Sequence, residues 1–266
     1  MVATNPHPYT HSGRRYVLVG GTAGMGFAAA SILAAGGARV ALIGADPARA
    51  RARAEALGPE HLGDGSAPDG VEAAIERCVR DLGGIDGIAV TAGPIGSHGG
   101  FLELSDADWQ ESFETIFMLT MRSLRAAVPL LAAGGGGTVV TTAAYSARSA
   151  KQRLPHYAAM KTAITSLTKH VAKYHAAEGI RANCVAPGAI ATEALDSARE
   201  ESARMYPELE PMDALSRYMI ETWKMSVAQN RVGLPSEVGE LIAFLLSDQA
   251  AYMTGALINV DGGTDF

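Results

Sequence analysis

The chain has 266 residues, of which 48% are hydrophobic and 19% charged, with 30 glycines and a formal net charge of −6. A chain of this length buries roughly three quarters of its unfolded surface, so one large domain needs no disulfide or metal, and the apolar share excludes intrinsic disorder. The negative charge is spread along the sequence, which argues against a nucleic-acid partner, because phosphate backbones call for clustered Lys and Arg.

Residues 1–13 are polar, hold His7 and His11, and lack the apolar run of a secretory signal. They read as a flexible tail; the histidines are metal-ligating residue types, but a mobile polar tail accounts for them and no metal site is expected. The predicted catalytic domain spans 14–266. Its first segment, YVLVGGTAGMG from Tyr16 to Gly26, is a short apolar run ending in closely spaced glycines and opening into an Ala- and Leu-rich helix at Phe27–Ala35. The apolar run fits a strand buried on both faces, and Gly36 and Gly37 are placed to stop the helix with positive φ. A second strand, ARVALIG, is followed by Asp46 and Pro47 as N-cap and first residue of the next helix, which completes a βαβ unit.

The alternation continues with a helix at Gly70–Leu82, a strand at GIAVTAG, a long helix near Asp106–Ala132, a strand at GTVVTTAA and a helix from about Pro155 to Glu178. A strand at RANCVAPG, a helix at SEVGELIAFLLSD and a strand at GALINVDGG close the chain. This pattern predicts an α/β fold, a Rossmann-like doubly wound parallel sheet of about seven strands with helices on both faces. Between the last two units, 193–230 has no strand pattern and carries Met205, Tyr206, Met212, Leu215, Tyr218, Met219, Trp223 and Met225. Lying after a strand's C-terminal end, it is placed to act as a substrate lid for an apolar ligand. The helical spacing of Leu215, Tyr218, Met219 and Trp223 is equally that of a helix packed on the body. Cys78 and Cys184 show no ligand spacing and read as buried thiols of a reducing compartment. No apolar stretch approaches about 18 residues without Gly, Arg or Pro, so neither a membrane span nor a membrane partner is expected and the location is read as cytoplasmic.

Two sets of residues carry the chemistry. Gly20, Gly24 and Gly26 keep side chains away from a helix N-terminus, whose amides and dipole favour a pyrophosphate. A tight turn without a ligand is the alternative. Tyr157 and Lys161, in HYAAMK, stand four residues apart on one helical face, so an ammonium can favour the ionised phenol and make it a general acid/base. His156 is a further base candidate, though a neighbouring helix position points elsewhere.

Together these segments resemble the short-chain dehydrogenase/reductase family from about Gly13 to Gly263. VGGTAGMG is similar to the family's TGxxxGxG turn with Val19 in place of Thr, YAAMK to its YxxxK motif, and NCVAPGAIATE to the strand end that holds the nicotinamide. RVGLPSEVGELIAFLLSDQAAYMTGALINVDGG resembles the closing helix and strand. The resemblance implies a nicotinamide cofactor, hydride transfer between it and a carbonyl or imine and its reduced partner, a small-molecule substrate, and a homo-oligomer, tetramer or dimer. It implies catalytic roles for Tyr157 and Lys161 and cofactor contacts at Gly20, Thr22, Ala23, Met25, Ala45, Asp64, Ala92, Gly93, Pro187, Gly188, Ile190 and Thr192. The family's catalytic serine position is Ala144 and its helix asparagine position is Ile116. Ser146, two residues on and on the same side of an extended segment, is the expected substitute donor, with Thr142 as the mirror candidate. At the end of the second strand stand Gly44, Ala45 and Asp46, with Arg49 one helical turn on; the balance leans to NADP(H) over NAD(H). The missing serine leaves an alternative open: a non-redox relative performing cyclisation, elimination or isomerisation, or a ligand-binding protein.

Overall fold

The computed structural model describes residues 10–66, 70–149 and 153–264. Seven strands form one parallel sheet: β1 (Arg15–Val19), β2 (Arg39–Gly44), β3 (Leu62–Gly65), β4 (Gly87–Val90), β5 (Gly137–Thr142), β6 (Ile180–Pro187) and β7 (Leu257–Val260), in the order β3-β2-β1-β4-β5-β6-β7. The register runs without slip from Tyr16↔Val40 to Val19↔Ile43 on one side of β1 and from Tyr16↔Gly87 to Val19↔Val90 on the other. Strand order reverses between β1 and β4, and open α/β sheets bind ligands in the crevice at such a point.

Side chains alternate across the sheet and bury both faces. Val17 and Val19 join one core with Val71, Ile75 and Leu82 of α3 (Gly70–Leu82) and Leu124, Ala127 and Leu131 of α5 (Leu119–Ala133). Tyr16 and Leu18 join the other, with Ala29, Ile32 and Leu33 of α1 (Gly24–Ala35) and Val238, Ile242 and Leu246 of α9 (Pro235–Leu246). These doubly buried strands explain the continuous apolar runs of the sequence. α2 (Pro47–Leu57) starts on the expected cap, Asp46 accepting a 2.8 Å bond from the Ala48 amide, with Pro47 in its first turn. At the end of α1, Gly37 alone has positive φ (+87°); Gly36 keeps an ordinary φ of −78°.

The helix expected near Asp106–Ala132 is α4 (Asp106–Ser112), a π-helical stretch (Phe113–Met118) and α5 in sequence. The run Asp106–Ala133 is long and apolar enough by composition to cross a membrane; in this fold its Ser123, Leu124, Ala127, Val128 and Leu131 are buried, and α5 packs on α3. α6 (Pro155–Tyr174) ends four residues earlier than expected, and a 3₁₀ turn continues to Glu178.

One expectation fails at the N-terminus. His7 lies outside the described residues, but His11 is buried rather than in a mobile tail. Its amide donates to Gly36 O (3.0 Å), its Nδ1 lies 3.0 Å from Tyr16 Oη, and the Gly13 amide donates to Gly37 O (3.2 Å). The end of α1 and the start of β1 hold this segment down.

Candidate functional site

The glycine turn leaves β1 at its C-terminal end, beside the reversal of strand order. Gly20 has φ +84°, and a Cβ there would lie 2.5 Å from the Ala92 amide nitrogen; a Cβ on Gly26 would lie 2.3 Å from Gly20 O and 2.4 Å from Thr91 Oγ1. No side chain larger than hydrogen fits either place. Thr22 lies against the end of β2, its Cγ2 2.7 Å from where a Cβ of Gly44 would stand, and Thr192 Cγ2 is 2.9 Å from the corresponding point at Gly24. Ala23 is the extended N-cap of α1, with no side-chain cap and no acidic residue in the first turn. The first amides of α1 therefore face the crevice unblocked, which fits a pyrophosphate. Met25 packs into the α1/α9 core, and Ala45 is exposed at the end of β2.

Other expected cofactor residues stand in or just after the C-terminal ends of β3 and β6. Pro187 ends β6, and the Gly188 amide donates to Val260 O (3.0 Å). Ile190 buries its side chain in the α1/α9 core and pairs with Gly233, so only its backbone can face the crevice. Asp64 stands within β3, not after it. Its carboxylate is engaged, Oδ2 accepting from Arg77 Nε (2.8 Å) and Oδ1 from the Gly65 amide (2.7 Å).

Lys161 is fully enclosed and donates from Nζ to Thr142 O at 3.0 Å; its Nζ is 5.6 Å from the centre of the Tyr157 ring. Gly93, with φ +135°, lets the loop after β4 lie against it, since a Cβ there would stand 3.2 Å from Nζ and 3.6 Å from Ile116. Burial pushes the Lys161 ammonium down to about 8. Burial pushes the Tyr157 phenol up, and the neighbouring Tyr145 phenol adds to this because two phenolates repel. At neutral pH the pair is thus a neutral phenol beside a cation in a dry setting.

The substitutes for the serine fare differently from the expectation. β5 ends at Thr142, and Tyr145–Ala147 is a 3₁₀ turn, so strand alternation does not carry Ser146 to the side of Ala144. Ser146 Oγ and Thr142 Oγ1 are both buried and without a hydrogen-bond partner among the described residues. The residue that sequence reasoning passed over is Tyr145. Half-buried, it packs against the cluster of Leu195, Leu215, Tyr218 and Met219 while acting on Tyr157. Its signal was available, a hydroxyl-bearing residue directly after Ala144, but it depended on where β5 stops. Ile116 lies in the π-helical stretch and is fully buried with Ala143, Ile164 and Cys184, so an apolar contact fills that position. His156 points away as expected; its buried ring meets Trp109 edge-on at 6.1 Å.

Residues 193–230 form α7 (Asp196–Met205) and α8 (Pro211–Glu221), which pack on each other. Leu215, Tyr218 and Met219 are buried between them and the body, as helical packing requires, whereas Trp223 is 41% exposed and meets His98 of the loop after β4 at 6.2 Å.

Residues 20–265 match the family described as enoyl-(acyl carrier protein) reductase. The short-chain dehydrogenase/reductase ABA4 of Pyricularia oryzae is 30% identical over 275 aligned residues, covering 98% of this chain and 96% of that protein. A short chain oxidoreductase from Pseudomonas aeruginosa PAO1, described as containing an atypical catalytic center, superposes with a TM-score of 0.86 at 27% identity, covering 96% and 98% of the two chains. L-sorbose reductase from Gluconobacter frateurii, solved with NADPH and L-sorbose, superposes with a TM-score of 0.84 at 27% identity, covering 96% and 97%. The chain belongs to the short-chain dehydrogenase/reductase family of oxidoreductases.

Proposed function

We propose that this protein moves a hydride between NAD(P)(H) and a ketone, imine or secondary alcohol on a fairly apolar small molecule. The observation that carries the reading is the convergence of an uncapped α1 N-terminus, a glycine turn that admits no side chain, and the Tyr157–Lys161 pair at the C-terminal ends of the central strands. A bound nicotinamide cofactor supplies or accepts the hydride. Tyr157 gives the proton to the substrate's oxygen or nitrogen in reduction and takes it back in oxidation. Lys161 would hold the cofactor ribose, its cation lying beside a phenol that burial and Tyr145 keep neutral rather than favouring the phenolate. Pro187, Gly188, Ile190 and Thr192 would hold the nicotinamide end of the cofactor through backbone and the Thr192 side chain, and Ala92 and Gly93 would border the same crevice. NADP(H) is preferred, and residues 193–230 cover an apolar substrate.

In place of the family's serine, the donor to the substrate oxygen is assigned to Tyr145. Ser146 Oγ is enclosed, whereas Tyr145 is half-buried between Tyr157 and α8. Losing one such donor typically costs about 100- to 1,000-fold in rate, so a substitute or a substrate with its own activating group is needed for efficient turnover. A panel of cyclic ketones, imines and secondary alcohols, followed by nicotinamide absorbance, tests the reading. Turnover that disappears in Tyr157→Phe and falls in Tyr145→Phe more than in Ser146→Ala supports it; undiminished turnover in Tyr157→Phe removes Tyr157 from the mechanism. The non-redox alternative draws on the apolar Ala144 and Ile116. Product formed from such a substrate with no change in nicotinamide absorbance favours it. The P. aeruginosa neighbour, described as having an atypical catalytic center, supports a departure at the site within this fold.

A further inference from the structure

Arg49 and Glu193 come from opposite sides of the strand-order reversal. Arg49 is in the first turn of α2, after β2; Glu193 opens the 193–230 segment, after β6. Arg49 Nη2 donates to both carboxylate oxygens, at 2.6 and 2.7 Å. The contact closes a ring. Thr22 touches the end of β2 at Gly44, the turn runs to Gly24, Gly24 meets Thr192, and Glu193 returns to Arg49 on α2. α1 starts on this ring, at Gly24, and its first amides have no side-chain cap. Arg53, one turn further along α2 and lying 4.7 Å over the Phe27 ring, adds to the positive field that holds the Glu193 carboxyl below its usual range.

The Arg49 and Glu193 side chains are 40% and 52% exposed. An exposed pair of this kind is weak and exchanges readily. A guanidinium can bind a phosphate monoester, which carries close to two charges, through two nitrogens at once, and so more strongly than Arg49 holds Glu193 through Nη2 alone. We propose that Arg49–Glu193 is an exchangeable clasp: the 2′-phosphate of NADP(H) takes Arg49 from Glu193, so that Arg49 selects the phosphorylated cofactor and the same exchange frees the start of the 193–230 segment. NAD(H), lacking that phosphate, leaves the clasp closed. The proposal rests on the nicotinamide reading above and adds to it a link between cofactor identity and the segment over the substrate.

The test titrates the wild-type chain, Arg49→Ala and Glu193→Gln with NADPH and NADH by nicotinamide fluorescence. It also compares tryptic cleavage at Arg199 and Arg204 of α7 with adenosine 2′,5′-bisphosphate and with 5′-AMP. Losing a charge-assisted bond of about 1.5–3 kcal/mol weakens NADPH binding about 10- to 100-fold in Arg49→Ala and leaves NADH unchanged. Glu193→Gln tightens NADPH up to about fivefold. The 2′,5′-bisphosphate speeds cleavage of the wild type, 5′-AMP does not, and Glu193→Gln is cleaved fast without either. Equal effects of Arg49→Ala on both cofactors, or cleavage indifferent to the 2′-phosphate, overturn the clasp. Binding of NADH alone overturns it while leaving the oxidoreductase reading intact; binding of neither cofactor removes both.

Discussion

Replacing Lys161 by Met separates what this lysine does for chemistry from what it does to the fold. Its ammonium is fully buried, with a hydrogen bond to Thr142 O at 3.0 Å, and burial brings it from 10.5 to about 8. Such a difference corresponds to about 3 kcal/mol of destabilisation, carried wherever both folded and unfolded chains bind the proton. Met fills nearly the same volume without the charge, and losing the bond to Thr142 O takes back about 1 kcal/mol. The variant is therefore about 1–2 kcal/mol more stable at pH 7, a rise in Tm of several degrees for a chain of this size, while it loses turnover. The folded-state value is lowered, so the wild-type cost is fully present below about 8 and fades as pH rises towards 10.5, where the unfolded lysine also releases its proton. Urea unfolding of both chains from pH 7 to 10 reads the difference; the gap closes as pH rises. A variant less stable than wild type at pH 7, or a gap constant across that range, refutes the reasoning.

Ala144→Ser restores a hydroxyl at the family's serine position, where the present side chain is 5% exposed; kcat/KM on ketones rises about tenfold or more, and an unchanged value means that another group already serves the substrate oxygen fully. Gly26→Ala drives a methyl against Gly20 O and Thr91 Oγ1, so cofactor fluorescence titration shows lost binding, with stability reduced by about 1–3 kcal/mol on chemical unfolding. Cys78 and Cys184 are both free and buried, and burial pushes the Cys78 thiol up to about 12; a colorimetric thiol reagent at pH 8 reacts with neither until urea unfolds the chain.

The doubly wound parallel sheet and its layers were legible because parallel strands buried on both faces leave continuous apolar runs, and YVLV, ALIG and GIAV are such runs. Asp46–Pro47 marked a helix start that the structure keeps, since cap and first-turn chemistry is local. What was not legible depended on where elements end and what they meet. Ser146 was placed by extending strand alternation past Thr142, but β5 stops there and turns, which brings Tyr145 to the site instead. Asp64 matched a sequence position, yet its carboxylate is held by Arg77 from a helix thirteen residues on. His11 looked like part of a polar tail because its partners, Tyr16 and Gly36, are set by the packing of α1 beside β1. The Arg49–Glu193 contact joins residues brought together only by the whole sheet.

The central claim is that the crevice at the reversal of strand order holds a nicotinamide cofactor against Tyr157 and Lys161. Titrating the folded wild-type chain with NADPH and with NADH, while following nicotinamide fluorescence, tests it most directly. The account predicts a saturable, enhanced signal with at least one of them, stronger with NADPH; a chain that is folded by circular dichroism and binds neither contradicts it.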